Sequence, residues 1–96
     1  MSNKPPSLDF TCRCGCGDEI TIFAPDEKDP NVGMTFYDVE GLKSCASLPV
    51  DEFVTMVTED EGLIEVEQFS GLISIELSDE DVAKAIALVT QPVMVR

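Results

Sequence analysis

Apolar residues recur along the chain with two different periods. Ile20 and Ile22 alternate with Thr21 and Phe23, Ile64 and Val66 with Glu65 and Glu67, and Ile73, Ile75 and Leu77 with Ser74 and Glu76. A period of two sends successive side chains to opposite faces of a pleated backbone, so these stretches predict half-buried β-strands. Val50, Phe53, Val54 and Val57 recur instead at i, i+3, i+4 and i+7, as do Val82, Ala85, Ile86 and Val89. Each set predicts a helix with one buried stripe.

Turn and cap residues divide these elements. Leu8–Arg13 and Glu19–Phe23 flank the segment CGCGD, whose Gly15 and Gly17 supply the positive φ of a tight reversal, so a first β-hairpin is expected around the cysteines. PDEKDPNVG reads as a loop, and Met34–Val39 as a strand ended by Gly41. Cys45 is expected in a short connection before Ser47 and Pro49 open the first helix. The acidic run from Thr58 to Glu61 leads to a helix stop at Gly62, and Gln68–Gly71 turns a second hairpin. Ser78, with Asp81 three residues on, forms a variant capping box for the second helix, which Pro92 stops. Val93–Arg96 is left as a tail able to add an edge strand. These elements predict an α+β fold in which an antiparallel sheet of four to five strands carries two helices on one face. Residues 1–7 are expected to form a flexible arm and residues 8–96 one globular domain.

Charge narrows the partners. The 96 residues hold six Lys plus Arg against nineteen Asp plus Glu, a net charge of -13. Nucleic-acid affinity comes largely from basic side chains on phosphates, and here Lys4, Arg13, Lys28, Lys43, Lys84 and Arg96 are scattered, so direct nucleic-acid binding is not expected. A basic protein partner is. The N-terminal residues carry no apolar run of signal-peptide length and no segment reaches the ~18 apolar residues of a membrane span, so the expectation is a cytoplasmic chain without membrane contact.

A reducing cytoplasm makes four cysteines in so short a chain point to metal rather than to a disulfide framework. There is no histidine, which removes the commonest general base and the commonest neutral metal ligand. Cys12, Cys14 and Cys16 alternate, and the glycines between and after them let the turn fold so that thiolates converge on a tetrahedral Zn²⁺ at ~2.3 Å. Cys45 is the natural fourth ligand, with Asp18 as a carboxylate substitute. The other readings are reduced thiols, with Cys45 in the core, or a disulfide within the turn, whose small ring is strained. Only Arg13 brings positive charge to the motif while Asp18 and Glu19 oppose it, so a reactive thiolate is not expected.

The segment TCRCGCGDEI resembles the cysteine knuckle of zinc-ribbon proteins, in which a Cys–Gly pair turns between two strands. The spacing here is C-x-C-x-C where a knuckle has C-x₂-C, and Cys45 alone lies downstream in place of a second knuckle. The resemblance therefore implies one zinc staple rather than a full ribbon.

Carboxylates fall on the polar side of nearly every predicted element. They can serve solubility alone, or they can imitate nucleic-acid phosphates and occupy the basic groove of a nucleic-acid-binding protein. Sequence proximity should gather Glu59, Asp60, Glu61, Glu65 and Glu67 into one such partner-binding patch. PDEKDPNVG lacks the alternating ligands of an EF-hand, and no Gly-rich phosphate loop or G-x-S-x-G elbow is present. The expected function is that of a non-enzymatic inhibitor or regulator, comparable in size and acidity to phage anti-defence proteins such as anti-CRISPR proteins. The alternative is a zinc-stapled accessory module for protein interaction.

Overall fold

The computed structural model describes residues 6–15, 17–26, 29–68 and 71–90. Six strands and two helices follow in the order β1 (Ser7–Thr11), β2 (Glu19–Phe23), β3 (Asn31–Asp38), β4 (Gly41–Pro49), α1 (Val50–Glu59), β5 (Leu63–Gln68), β6 (Gly71–Glu76) and α2 (Asp79–Thr90). The class is α+β, as the mixed periods predict. The strands form an antiparallel four-stranded sheet in the order β1-β2-β3-β4 and a separate antiparallel pair, β5-β6.

Alternation decides which face of the larger sheet is buried. Phe10, Ile20 and Phe36 lie in register across β1, β2 and β3, with Ile22 and Met34 paired beside them, and all five are buried. The intervening row runs Asp9, Thr21, Thr35 and Cys45, none of them buried. The inward row joins Phe53 and Val57 of α1, Ile64 of β5, Ile73 and Ile75 of β6, and Ala85, Leu88 and Val89 of α2 in one apolar cluster. Among the described residues no polar or charged side chain is buried. The stripe expected on α1 is present, with Val50 and Val54 packed against the cluster beside the fully buried Phe53. On α2 the stripe also takes in Leu88, while Val82 and Ile86 are partly buried.

Local chemistry sets the element ends. The Ser78 hydroxyl accepts the Asp81 amide at 3.2 Å, which caps α2 as the sequence predicts. At the other end of α1 the Gly62 amide reaches back to the Val57 carbonyl at 2.8 Å with Glu61 at φ 53, a Schellman stop. The expected loop PDEKDPNVG is shorter than its composition predicts, since Asn31, Val32 and Gly33 already pair with β4 and Val32 is buried; before them the Asp29 amide donates to Asp26 Oδ1 at 2.7 Å and the Asn31 amide to Asp29 Oδ1 at 3.1 Å, the Asx chemistry of such a turn.

Three further differences from the expected elements have physical causes. Gly41–Pro49 is a strand, not a short connection: Asp38 Oδ1 accepts the Glu40 amide at 2.7 Å and the chain reverses over Val39–Glu40 to pair β4 with β3. The register then shifts beside Phe36/Tyr37, which turns Leu42 outward to 67% exposure while Ser44, Ala46 and Leu48 face inward half-buried. Secondly, β5 and β6 pair with each other and stay out of the larger sheet, so the strands divide four and two instead of forming one sheet. Thirdly, the expected arm over residues 1–7 meets the sheet at its end, because Ser7 opens β1 and the Pro6 carbonyl accepts the Ala24 amide at 2.8 Å; residues 1–5 lie outside the described residues. The tail at Val93–Arg96 and the stop at Pro92 also lie outside them. No helix among the described residues is long and apolar enough to cross a membrane.

Candidate functional site: the cysteine turn and the acidic surface

The β1–β2 hairpin closes through the cysteine turn. The Cys12 amide donates to the Asp18 carbonyl at 2.9 Å, and the Gly15 amide returns to the Cys12 carbonyl at 3.2 Å, a tight turn over Arg13 and Cys14. Gly15 and Gly17 stand at φ 80 and φ 93, the left-handed backbone their spacing predicts. Because Phe10 faces the core and Cys12 follows two positions later, the Cys12 side chain continues the inward row and is 6% exposed. Cys14 is exposed, yet its sulfur lies 3.1 Å from that of Cys12.

The same turn joins the two sheets. The Arg13 amide donates to the Glu76 carbonyl at 2.7 Å, and the Glu76 amide donates to Cys12 Sγ at 3.4 Å. The backbone groups of Glu76 therefore point away from β5. These two bonds connect the end of β6 with the end of β1, and the turn leads the chain away before a ladder can form. Beside the seam, Asp18, Tyr37, Lys43, Leu72 and Ser74 line a groove of about 170 Å³. That is smaller than the ~300–1,000 Å³ typical of small-molecule sites.

Of the expected ligand set Cys12, Cys14, Cys16 and Cys45, the structure brings Cys12 and Cys14 together. Cys16 lies outside the described residues. Cys45 stands apart, exposed on β4 with its thiol 3.9 Å from Thr35 Oγ1 in the outward row, neither in the core nor beside the turn. Three strand spacings separate β4 from β1, about 14 Å at ~4.8 Å per strand, and the two side chains leave opposite faces. Asp18 offers its carbonyl to Cys12 while its half-buried side chain lines the groove. Among the described residues no group of three or more Cys, Asp or Glu side chains is arranged around a common metal position. The role of Glu76 is not legible in the sequence, because its contribution is made by backbone and strand periodicity says nothing of which edge meets another element.

Glu59, Asp60, Glu61, Glu65 and Glu67 are all exposed. The first three surround the Schellman stop, and the last two stand on the outward row of the β5–β6 hairpin, across from Ser74 and Leu72. The same row carries Glu76, opposite Leu63, so the outward face of the hairpin is more acidic than the five-residue set alone. Among the described residues the ion pairs are Lys43–Asp38 at 4.0 Å and Lys84–Glu80 at 3.6 Å, both at exposed cations. Neither touches the five carboxylates.

Compared with protein-family models, with curated proteins and with solved structures, the chain matches none, so its chemistry is read from its own residues.

Proposed function

We propose that this chain is a non-enzymatic acidic protein that docks, in the cytoplasm, on a basic surface of a nucleic-acid-handling machine and inhibits or regulates it. Small phage-encoded anti-defence proteins, anti-CRISPR proteins among them, combine the same size and acidity. The reading is carried by the outward placement of Glu59, Asp60, Glu61, Glu65 and Glu67 without an ion pair to any of them among the described residues. Carboxylates not neutralised within the protein project their field into solvent, which speeds encounter with a basic partner and selects against acidic ones. With a net charge of -13 the chain repels nucleic acid itself but competes with it for the Lys and Arg side chains of a third molecule. In this reading the two helices cover one face of the four-stranded sheet and the acidic hairpin presents its outward row to the partner.

Charge reversal tests it. Glu59→Lys, Asp60→Lys and Glu61→Lys together should lower the association rate more than they raise the dissociation rate, because long-range attraction acts on the encounter. Raising salt should do the same to the unaltered chain. Capture from a host lysate at low and high salt, followed by elution with DNA or RNA, supplies the partner for those measurements. A partner retained at high salt and indifferent to nucleic acid returns the acidic surface to solubility alone.

A second reading, a zinc-stapled accessory module, draws on the amide donated to Cys12 Sγ, the kind of hydrogen bond a thiolate ligand accepts. Cys12, Cys14 and Cys16 would be its thiolate ligands. The zinc would tie the first hairpin to β6, and elemental analysis should then find about one zinc per chain.

A further inference from the structure

We propose that Cys12 and Cys14 form a redox-active dithiol that exchanges with small-molecule disulfides and closes reversibly to an intramolecular disulfide. Their sulfurs are 3.1 Å apart, about 1 Å beyond a disulfide bond of ~2.05 Å. Two thiolates on a tetrahedral zinc with ~2.3 Å bonds stand ~3.8 Å apart, so the turn holds this pair closer than such a metal would. Backbone bonds on both sides keep it there, from the Cys12 amide to Asp18 and from the Gly15 amide to Cys12.

Accessibility sets the order of events. Cys14 is exposed and Cys12 buried, so the thiolate of Cys14 attacks one sulfur of the small disulfide, breaking its S–S bond and releasing one small thiol. Cys12 then attacks Cys14 Sγ in the mixed disulfide and releases the second. The protein is oxidised by two electrons, the small disulfide is reduced, and the two thiol protons pass to the two released thiols. Negative neighbours bear on how fast the first attack occurs, whereas the position of equilibrium follows from how the fold holds the pair. The ring strain that makes such a disulfide a poor permanent staple makes it easily reduced again.

The state of the pair is felt across the molecule. Cys12 Sγ accepts the Glu76 amide at 3.4 Å, and a disulfide sulfur drawn toward Cys14 accepts it less well. Oxidation should therefore loosen the seam between β1 and β6 and hydrogen exchange at the Glu76 amide should quicken.

The test equilibrates the C16S/C45S variant, which keeps only the proposed pair, in graded mixtures of reduced and oxidised glutathione with a chelator present. Acid quenching, alkylation and intact mass then count the remaining thiols. The expected result is loss of both alkylation sites, with an equilibrium constant in native buffer ~10-fold or more above that in concentrated urea, since the fold aligns the sulfurs. Faster exchange at Glu76 should accompany it. Equal constants with and without urea, or two alkylated thiols at every ratio, would overturn the proposal. The unaltered chain supplies an independent measurement should the variant fold poorly: trypsin cuts after Arg13, so oxidation must leave the peptide containing Cys12 joined to the peptide containing Cys14. Fragmentation that assigns the bond to Cys14 supports the pair. Separate peptides, or a bond to Cys16, refute it.

Discussion

Gly62→Ala should be among the most damaging substitutions of one small residue for another in this protein. Gly62 stands at φ 93 immediately after the Schellman stop of α1, where its amide donates to Val57 and its carbonyl accepts the Leu77 amide, each at 2.8 Å. A methyl group there would meet the Leu77 carbonyl oxygen far inside van der Waals contact and Val82 Cγ2 at 3.1 Å. Positive φ alone costs a residue with a Cβ about 1–2 kcal/mol. Leu77 can retreat only by stretching the bond that ties the end of β6 to the end of α1, and overpacking of that kind adds about 1–3 kcal/mol. The loss should therefore be about 2–5 kcal/mol against a total stability of about 5–15 kcal/mol. Urea denaturation followed by far-ultraviolet circular dichroism should show the midpoint falling by roughly 1–3 M at an unchanged slope. Gly41→Ala separates the two contributions, because Gly41 has φ 123 but open space where the methyl would go. It should lose only the conformational part, about 1–2 kcal/mol. If Gly62→Ala moves the midpoint no further than Gly41→Ala, the close approach of the α1 terminus to Leu77 is wrong.

Two neighbouring predictions use the same denaturation assay. Glu61 is the one non-glycine residue at positive φ among the described residues, so Glu61→Gly should raise stability by about 0.5–1 kcal/mol; a lower midpoint would contradict the left-handed stop. Phe53→Ala should cost about 3–5 kcal/mol, because the ring is fully buried where α1 faces the core, and an unmoved midpoint would place that ring on the surface.

Much of this fold is legible from local pattern. The stripes of α1 and α2, the cap at Ser78 and the glycines of the cysteine turn each depend on residues within a turn or two of one another, and side-chain period and φ preference act at that range. β4 shows where local pattern fails. Its inward residues, Ser44, Ala46 and Leu48, include only one large apolar side chain, and the register shift beside Tyr37 turns Leu42 outward, so no alternation survives to be read. Asp38 three residues before Gly41 is a type I turn signal that could have revealed the hairpin.

The cysteine turn divides along the same line. That Cys12 and Cys14 flank a reversal follows from the glycines. That Cys12 is buried, that its sulfur meets the Glu76 amide sixty-four residues away and that Cys45 belongs to the outer face follow from strand register. Register is a long-range property, since a slip of one residue exchanges the faces while leaving every local preference unchanged. The sequence by itself determined the acidity, the missing histidine and the elements with strong periods. Only the tertiary structure decided which sulfurs share a face, and that the strands divide into two sheets joined at the cysteine turn, because both depend on pairing between segments distant in the chain.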